Sequence, residues 1–207
     1  MPVASGTIWH HYNKLEAELP GASSDCVPSR TIWAMRTLLL TRHAKSEWDD
    51  AVRETDHERR LNSRGCRDAP RMARHLDGQG LFPDLVVSST AQRTRETVEL
   101  MCAAVDGEPT IRFEDDLYLA APEACLDVLR RSVAEFPATR CAMLVAHNPG
   151  LAELVGSFSG QPIAFPTAAV AAFQLSEQQA WEDLSIGGRI SRPKLIGLWR
   201  PRELGSE

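Results

Sequence analysis

Three polar segments, each following a short apolar run, carry the side chains that could handle phosphate. Leu38-Leu39-Leu40-Thr41 leads into Arg42-His43-Ala44-Lys45-Ser46. Leu85-Val86-Val87 leads into Ser88-Ser89-Thr90-Ala91-Gln92-Arg93, and Met143-Leu144-Val145-Ala146 into His147-Asn148-Pro149-Gly150. Arginine presents a planar fork of donors that matches two phosphate oxygens and stays charged at any working pH, so Arg42 and Arg93 can brace one phosphoryl group. An imidazole with a pKa near ~6.5 is neutral enough at pH 7 to attack phosphorus and form a phosphohistidine that water later opens. His43 is the expected nucleophile. His147, placed between a strand end and a helix start, is expected to hydrogen-bond the phosphoryl group where backbone N–H groups also favour an anion. Ser46 is assigned to substrate binding beside Arg42, Arg93 and His147.

An Arg-His pair after one strand is a weak signal, because surface charge explains most such pairs. Three strand ends that all supply phosphate-compatible groups are harder to obtain by accident. Their convergence requires a particular architecture. From Met35 onward, short leucine-rich or β-branched runs alternate with longer helical patterns, which predicts an α/β domain with a mainly parallel sheet covered by helices. Ligands of such sheets bind beyond the carboxyl ends of the strands. Strands are predicted at 37–42, 85–88, 110–113, 141–146, 169–175 and 195–199. Helices are predicted at 63–76, 91–104, 122–136 and 149–158, the third opening on Pro122 and the fourth following Asn148. Residues 1–34 carry little periodicity and read as a loosely ordered extension in which His10-His11 is solvent-exposed, with the domain at 35–207. Met35, directly before the first strand, is an alternative start.

Composition removes several function classes. The 207 residues suffice for one well-buried α/β domain. A formal net charge of −5 argues against a broad nucleic-acid or anionic-lipid surface, so no nucleic-acid or membrane partner is expected. The arginines from Arg53 to Arg74 are interleaved with Glu54, Asp56, Glu58 and Asp68 and lack stacking aromatics, which makes a solvated helix face of them. Five widely spaced cysteines without a C-x-x-C pair indicate neither a metal site nor a disulfide framework, and free thiols fit a cytoplasmic protein. No apolar run resembles a signal peptide or a membrane span. Cys125 and Arg131 have the spacing of cysteine phosphatases, but no glycine-rich loop lies between them, and Leu126, Leu129 and Val133 fall at helical spacing. That segment is read as core.

At the three motifs the chain, over about residues 35–204, resembles the histidine phosphatase superfamily, with its phosphoglycerate mutase-like fold, and within it the SixA-type phosphohistidine phosphatases. Arg42-His43-Ala44-Lys45-Ser46 resembles the SixA-type form of the Arg-His-Gly signature. Ser89-Thr90-Ala91-Gln92-Arg93-Thr94, ending at Thr97, is similar to the second motif, and Ala146-His147-Asn148-Pro149 to that of the second histidine. Asp56 to Arg59 with Leu61-Asn62-Ser63-Arg64-Gly65 is similar to a further stretch, in which Arg60 replaces proline. Trp199-Arg200-Pro201-Arg202 resembles the terminal strand and tail.

The resemblance implies a three-layer α/β/α sandwich and a cofactor-free, metal-independent phosphatase. In mutase-like relatives a glutamate after the third strand protonates the leaving group, and Asp116 in Glu114-Asp115-Asp116 stands nearest that position. A phosphohistidine leaves as neutral imidazole and needs such an acid less than a sugar phosphate does. The leading expectation is therefore hydrolysis of phosphohistidine in a protein. The alternatives are a small phosphorylated metabolite, such as a sugar phosphate or nucleotide, and a domain that recognises phosphate without turnover. Specificity is expected to sit in the loops at 47–62 and 120–123.

Overall fold

A computed structural model describes residues 35–47, 55–187 and 192–205. The expected extension at 1–34, with His10-His11, and most of the loop at 47–62 before Thr55 lie outside the described residues.

Six strands form one sheet: β1 (Thr37–Arg42), β2 (Leu85–Ser89), β3 (Thr110–Glu114), β4 (Cys141–Ala146), β5 (Val170–Gln174) and β6 (Lys194–Trp199). The helices between them are α1 (Ser63–Gly78), α2 (Gln92–Cys102), α3 (Pro122–Glu135) and α4 (Gly150–Ser159). The spatial order is β3-β2-β4-β1-β5-β6.

β3, β2, β4 and β1 pair in parallel, β5 runs antiparallel to β1, and β6 antiparallel to β5. The sheet is thus mixed, where the sequence pattern predicted a mainly parallel one. The reversal starts at Ala168, whose backbone N–H donates to both Arg42 and His43 carbonyls. With a φ of 58°, Ala168 turns the chain so that β5 leaves the carboxyl end of β1 and runs back along it.

Alternation along β1 divides the core between the two faces of the sheet. Leu38 and Leu40 join Leu126, Leu129, Leu151 and Leu154 of α3 and α4 in one cluster. Leu39 joins Ala69, Met72 and Leu76 of α1 and Val98 and Met101 of α2 in the other. Cys125 is fully buried in the first cluster. Its sequence reading as core holds, and Arg131, at the far end of the apparent motif, is exposed.

α1 begins where Asn62 caps it by accepting the Gly65 N–H through Oδ1 at 3.0 Å. A Cβ at Gly65 would come 2.2 Å from the Lys45 carbonyl oxygen, so a glycine lets α1 close on the loop after β1. Gly150 serves the same purpose at the start of α4, where a Cβ would meet the Ala120 carbonyl oxygen at 2.0 Å. Arg71 of α1 donates to the carbonyls of Pro201, Leu204 and Gly205 and so fastens the C-terminal tail. Among the described residues, no helix is long and apolar enough to cross a membrane.

Candidate active site

Because β2, β4 and β1 are neighbours in one parallel block, their carboxyl ends deliver three motifs to one edge. Arg42 pairs with Ala146 and Ser88 with Val145, so His43, His147 and Ser89 emerge at one level. The His43 and His147 rings lie 5.2 Å apart between centroids. Both histidines and Arg93 are buried.

His43 Nδ1 lies 2.8 Å from the carbonyl oxygen of Ala44. A carbonyl only accepts, so Nδ1 carries the ring proton and Nε2 keeps its lone pair. Burial, reinforced by Arg93, Arg42 and Arg59, pushes the pKa of His43 down to about 3, despite the opposing hydrogen bond to Ala44. The ring is therefore neutral near pH 7, with a nucleophilic nitrogen already exposed by tautomer choice.

His147 Nε2 lies 2.9 Å from the hydroxyl of Ser89. That hydroxyl also accepts the Ala91 N–H at 3.4 Å, which leaves its own proton for Nε2. In that tautomer His147 Nδ1, buried without a partner among the described residues, is an N–H donor available to a phosphoryl oxygen. Burial again comes first in lowering the pKa of His147 to about 3, followed by His43 and Arg93.

Arg93 sits in the first turn of α2. Its Nη1 donates to the backbone carbonyl of Asp56, and its Nη2 lies 3.0 Å from Asp56 Oδ2. The same carboxylate accepts from the Tyr118 hydroxyl at 2.6 Å and pairs with Arg59 Nη2 at 3.1 Å. Desolvation favours the protonated carboxyl, but the Tyr118 hydrogen bond and the charges of Arg93 and Arg59 outweigh it and hold Asp56 below the usual carboxylate range. Arg42 donates from Nη1 to the Phe165 carbonyl at 3.1 Å, and its Nε is buried without a partner among the described residues. Desolvation, followed by the charge of Arg93, lowers the Arg42 guanidinium pKa; an incoming anion would relieve the repulsion between the two arginines.

One hydroxyl ties the loop after His43 to the helix that carries Arg93. Thr97 Oγ1 accepts the Ala44 N–H at 3.0 Å and donates to the Arg93 carbonyl at 2.6 Å.

The fold brings together Arg42, His43, Arg93 and His147, as the strand-end motifs predicted. Ser46 is buried and its backbone bridges to Leu61; none of the contacts uniting the histidines and arginines runs through it. Asp116 is turned outward. It lies in a short 3-10 helix, its side chain is 66% exposed, and its Oδ2 is 2.7 Å from Arg131 Nη2. Tyr118, two residues later, reaches the site instead, with its ring edge-on to His147 at 5.5 Å. Tyr118, Ser89 and Asp56 are site residues that sequence reasoning did not single out, although Asp56 and Ser89 lie within the stretches that carried the resemblance. Among the described residues, no group of three or more His, Cys, Asp or Glu side chains is arranged to hold a metal ion.

The family model of the histidine phosphatase superfamily (branch 1) matches residues 38–118, which include His43, Asp56, Arg93 and Tyr118. An uncharacterised chloroplastic protein of Arabidopsis thaliana is 35% identical over 186 residues, covering 87% of this chain and 84% of its own. An uncharacterised protein of Mycobacterium tuberculosis is 31% identical over 172 residues, covering 78% of this chain and 99% of its own. Among solved structures, a SixA protein from Agrobacterium tumefaciens superposes with a TM-score of 0.62 at 26% identity, covering 80% of this chain and 99% of that one. The protein histidine phosphatase SixA in complex with tungstate shares the fold, with a TM-score of 0.64 at 20% identity over 82% of this chain and 99% of that one. With its motifs gathered at one sheet edge and these relatives spanning most of its length, the chain belongs to the histidine phosphatase superfamily.

Proposed function

We propose that residues 35–207 form a phosphatase domain that takes the phosphoryl group of phosphohistidine in a protein onto Nε2 of His43. Water then releases it as phosphate. The observation that carries this reading is the Nδ1 to Ala44 carbonyl hydrogen bond, which leaves Nε2 as the attacking atom. Its consequence extends past the first step. With Nδ1 still protonated, phosphorylated His43 is an imidazolium, so the P–N bond can break to a neutral imidazole without an added proton. Arg93, Arg42 and the Nδ1–H of His147 supply donors for oxygens that gain charge in the transfer.

Phosphohistidine is favoured over an ester because the acid expected after the third strand is absent from this cluster. Asp116 is paired with Arg131 on the surface, and Asp56 is held ionised by Tyr118, Arg93 and Arg59. Phosphohistidine protonated on its second nitrogen leaves as neutral imidazole and needs no such group, whereas an alkoxide does. Cys66, Cys102, Cys125 and Cys141 are free thiols, in keeping with work in the cytoplasm.

Rapid quench with a labelled phosphodonor tests the intermediate. Acid-labile phosphate is expected on the wild type and not on His43→Ala; a wild type that turns over donors without trapped phosphate defeats the covalent route. A phosphohistidine protein compared with sugar phosphates and nucleotides tests the substrate, and equal or faster turnover of the esters overturns the preference.

A further inference from the structure

A groove of about 400 Å³ opens beside the catalytic arginine, lined by Arg42, Lys45, Arg64, Arg200 and Arg202 together with Pro166, Thr167, Pro201 and Glu203. Two of its five cations are balanced: Arg64 pairs with Asp68 at 3.1 Å and Arg200 with Glu203 at 2.9 Å. Arg42, Lys45 and Arg202 have no acidic partner among the described residues. This concentration of positive charge belongs to a chain whose formal net charge is −5. One phosphoryl group is already met by Arg42, Arg93 and His147, so Lys45 and Arg202 exceed what the reaction at His43 requires.

We propose that this groove is a second anion subsite, which receives an acidic side chain flanking the phosphohistidine of a protein substrate. The inference rests on the phosphohistidine reading above and adds a sequence preference to it. Arg42 belongs to both places, so an anion in the groove lies next to the phosphoryl group rather than on a remote face. Lys45 and Arg202 are exposed, which suits contact with the surface of a macromolecule better than enclosure of a small ligand. Pro166 and Pro201, with their fixed φ, restrain the backbone on which this rim is built. Charges so arranged attract an acidic segment and hold its register, and added salt weakens the attraction.

The test uses the full chain and two phosphohistidine peptides that differ only in glutamates or glutamines beside the phosphorylated residue. The readout is the ratio of their kcat/KM values, with phosphoramidate as a minimal donor. The wild type is expected to favour the acidic peptide by roughly fivefold at low salt, through KM, as a few partly exposed charge contacts would supply. In the Lys45→Glu/Arg202→Glu double variant this ratio should fall to one or below. Turnover of both peptides at equal kcat/KM by the wild type would overturn the subsite while leaving the phosphohistidine reading intact. Persistence of the preference in the double variant would overturn it equally, as would loss of phosphoramidate and peptide turnover in parallel with the ratio unchanged. Failure of the phosphohistidine reading shows separately, as turnover of sugar phosphates or nucleotides that equals or exceeds that of the phosphohistidine protein. Anisotropy titration of the two unphosphorylated peptides then still decides the subsite: stronger binding of the acidic one, lost in the double variant, supports it, and equal binding removes it.

Discussion

Asp56 Oδ2 stands 3.0 Å from Arg93 Nη2, so the fork proposed to grip the phosphoryl group is engaged by the protein's own carboxylate. Arg59 and Tyr118 hold the same carboxylate. An incoming oxyanion has to share or take over these donors, and two anions at one guanidinium repel. Asp56→Asn keeps an oxygen acceptor at the position and removes the charge, while the backbone carbonyl of Asp56 continues to hold Arg93 Nη1. Phosphate and tungstate should therefore inhibit Asp56→Asn at roughly threefold to tenfold lower concentration than wild type, a modest factor because the carboxylate is partly exposed. Weaker inhibition would show instead that Asp56 mainly positions Arg93.

Thr97 couples the His43 loop to α2 through a hydroxyl that accepts from Ala44 and donates to Arg93. Thr97→Val keeps the shape and leaves the Ala44 N–H without its partner in a buried place, at a cost of about 1–3 kcal/mol. The carbonyl of the same residue fixes the tautomer of His43, so displacement of Ala44 should lower kcat by roughly tenfold or more, as misplaced reacting groups do. Thr97→Ser, which retains the hydroxyl, should recover most of the rate. A Thr97→Val enzyme that loses stability but keeps its kcat would reduce the residue to a structural role.

The parts of this site legible in the sequence are those that sit at or within a few residues of a strand end. Arg42-His43, Arg93 and His147 follow runs whose burial on both faces forces a strand, and the strand then dictates where the next residues emerge. Strand direction is a different matter. An apolar run such as Val170–Gln174 reads the same in either sense, and only the Ala168 turn, bonded to Arg42 and His43, settles that β5 runs backward. Asp56 lies 37 positions from Arg93, so its contact is a tertiary fact without a local signal. Asp116 and Tyr118 are two residues apart with opposite fates, because Asp116 lies in a 3-10 turn that sends it to Arg131 while Tyr118, just past its end, reaches Asp56.

That turn makes a paired prediction. Asp116→Asn removes an exposed ion pair with Arg131 and should change kcat/KM by less than about twofold. Tyr118→Phe removes a hydrogen bond to the carboxylate that engages Arg93, so its effect should be larger and visible in KM and in oxyanion inhibition. Steady-state kinetics on one phosphodonor decide between them. A large kcat loss in Asp116→Asn, confined to poor leaving groups, would make Asp116 the acid after all and would require the loop to rearrange when substrate binds.

Burial of two neutral imidazoles links this site to acid stability. The pKa values of His43 and His147 are lowered from 6.5 to about 3 in the folded protein. Between those values the unfolded chain takes up protons that the native state refuses, so the contribution is fully present above about pH 6.5 and is lost as pH falls toward about 3. Each histidine adds a slope approaching about 1.4 kcal/mol per pH unit within that window. Urea unfolding from pH 7.5 to 4.5 should show the midpoint falling, with a shallower fall in His147→Gln. Catalysis should behave differently over the same range. His43 remains neutral in the native state, so kcat/KM, corrected for ionisation of the donor, should stay level through pH 6.5 and down to about 5 for as long as the protein is folded. An acid limb at 6.5 in folded enzyme would mean that the imidazole titrates normally and that burial does not poise it.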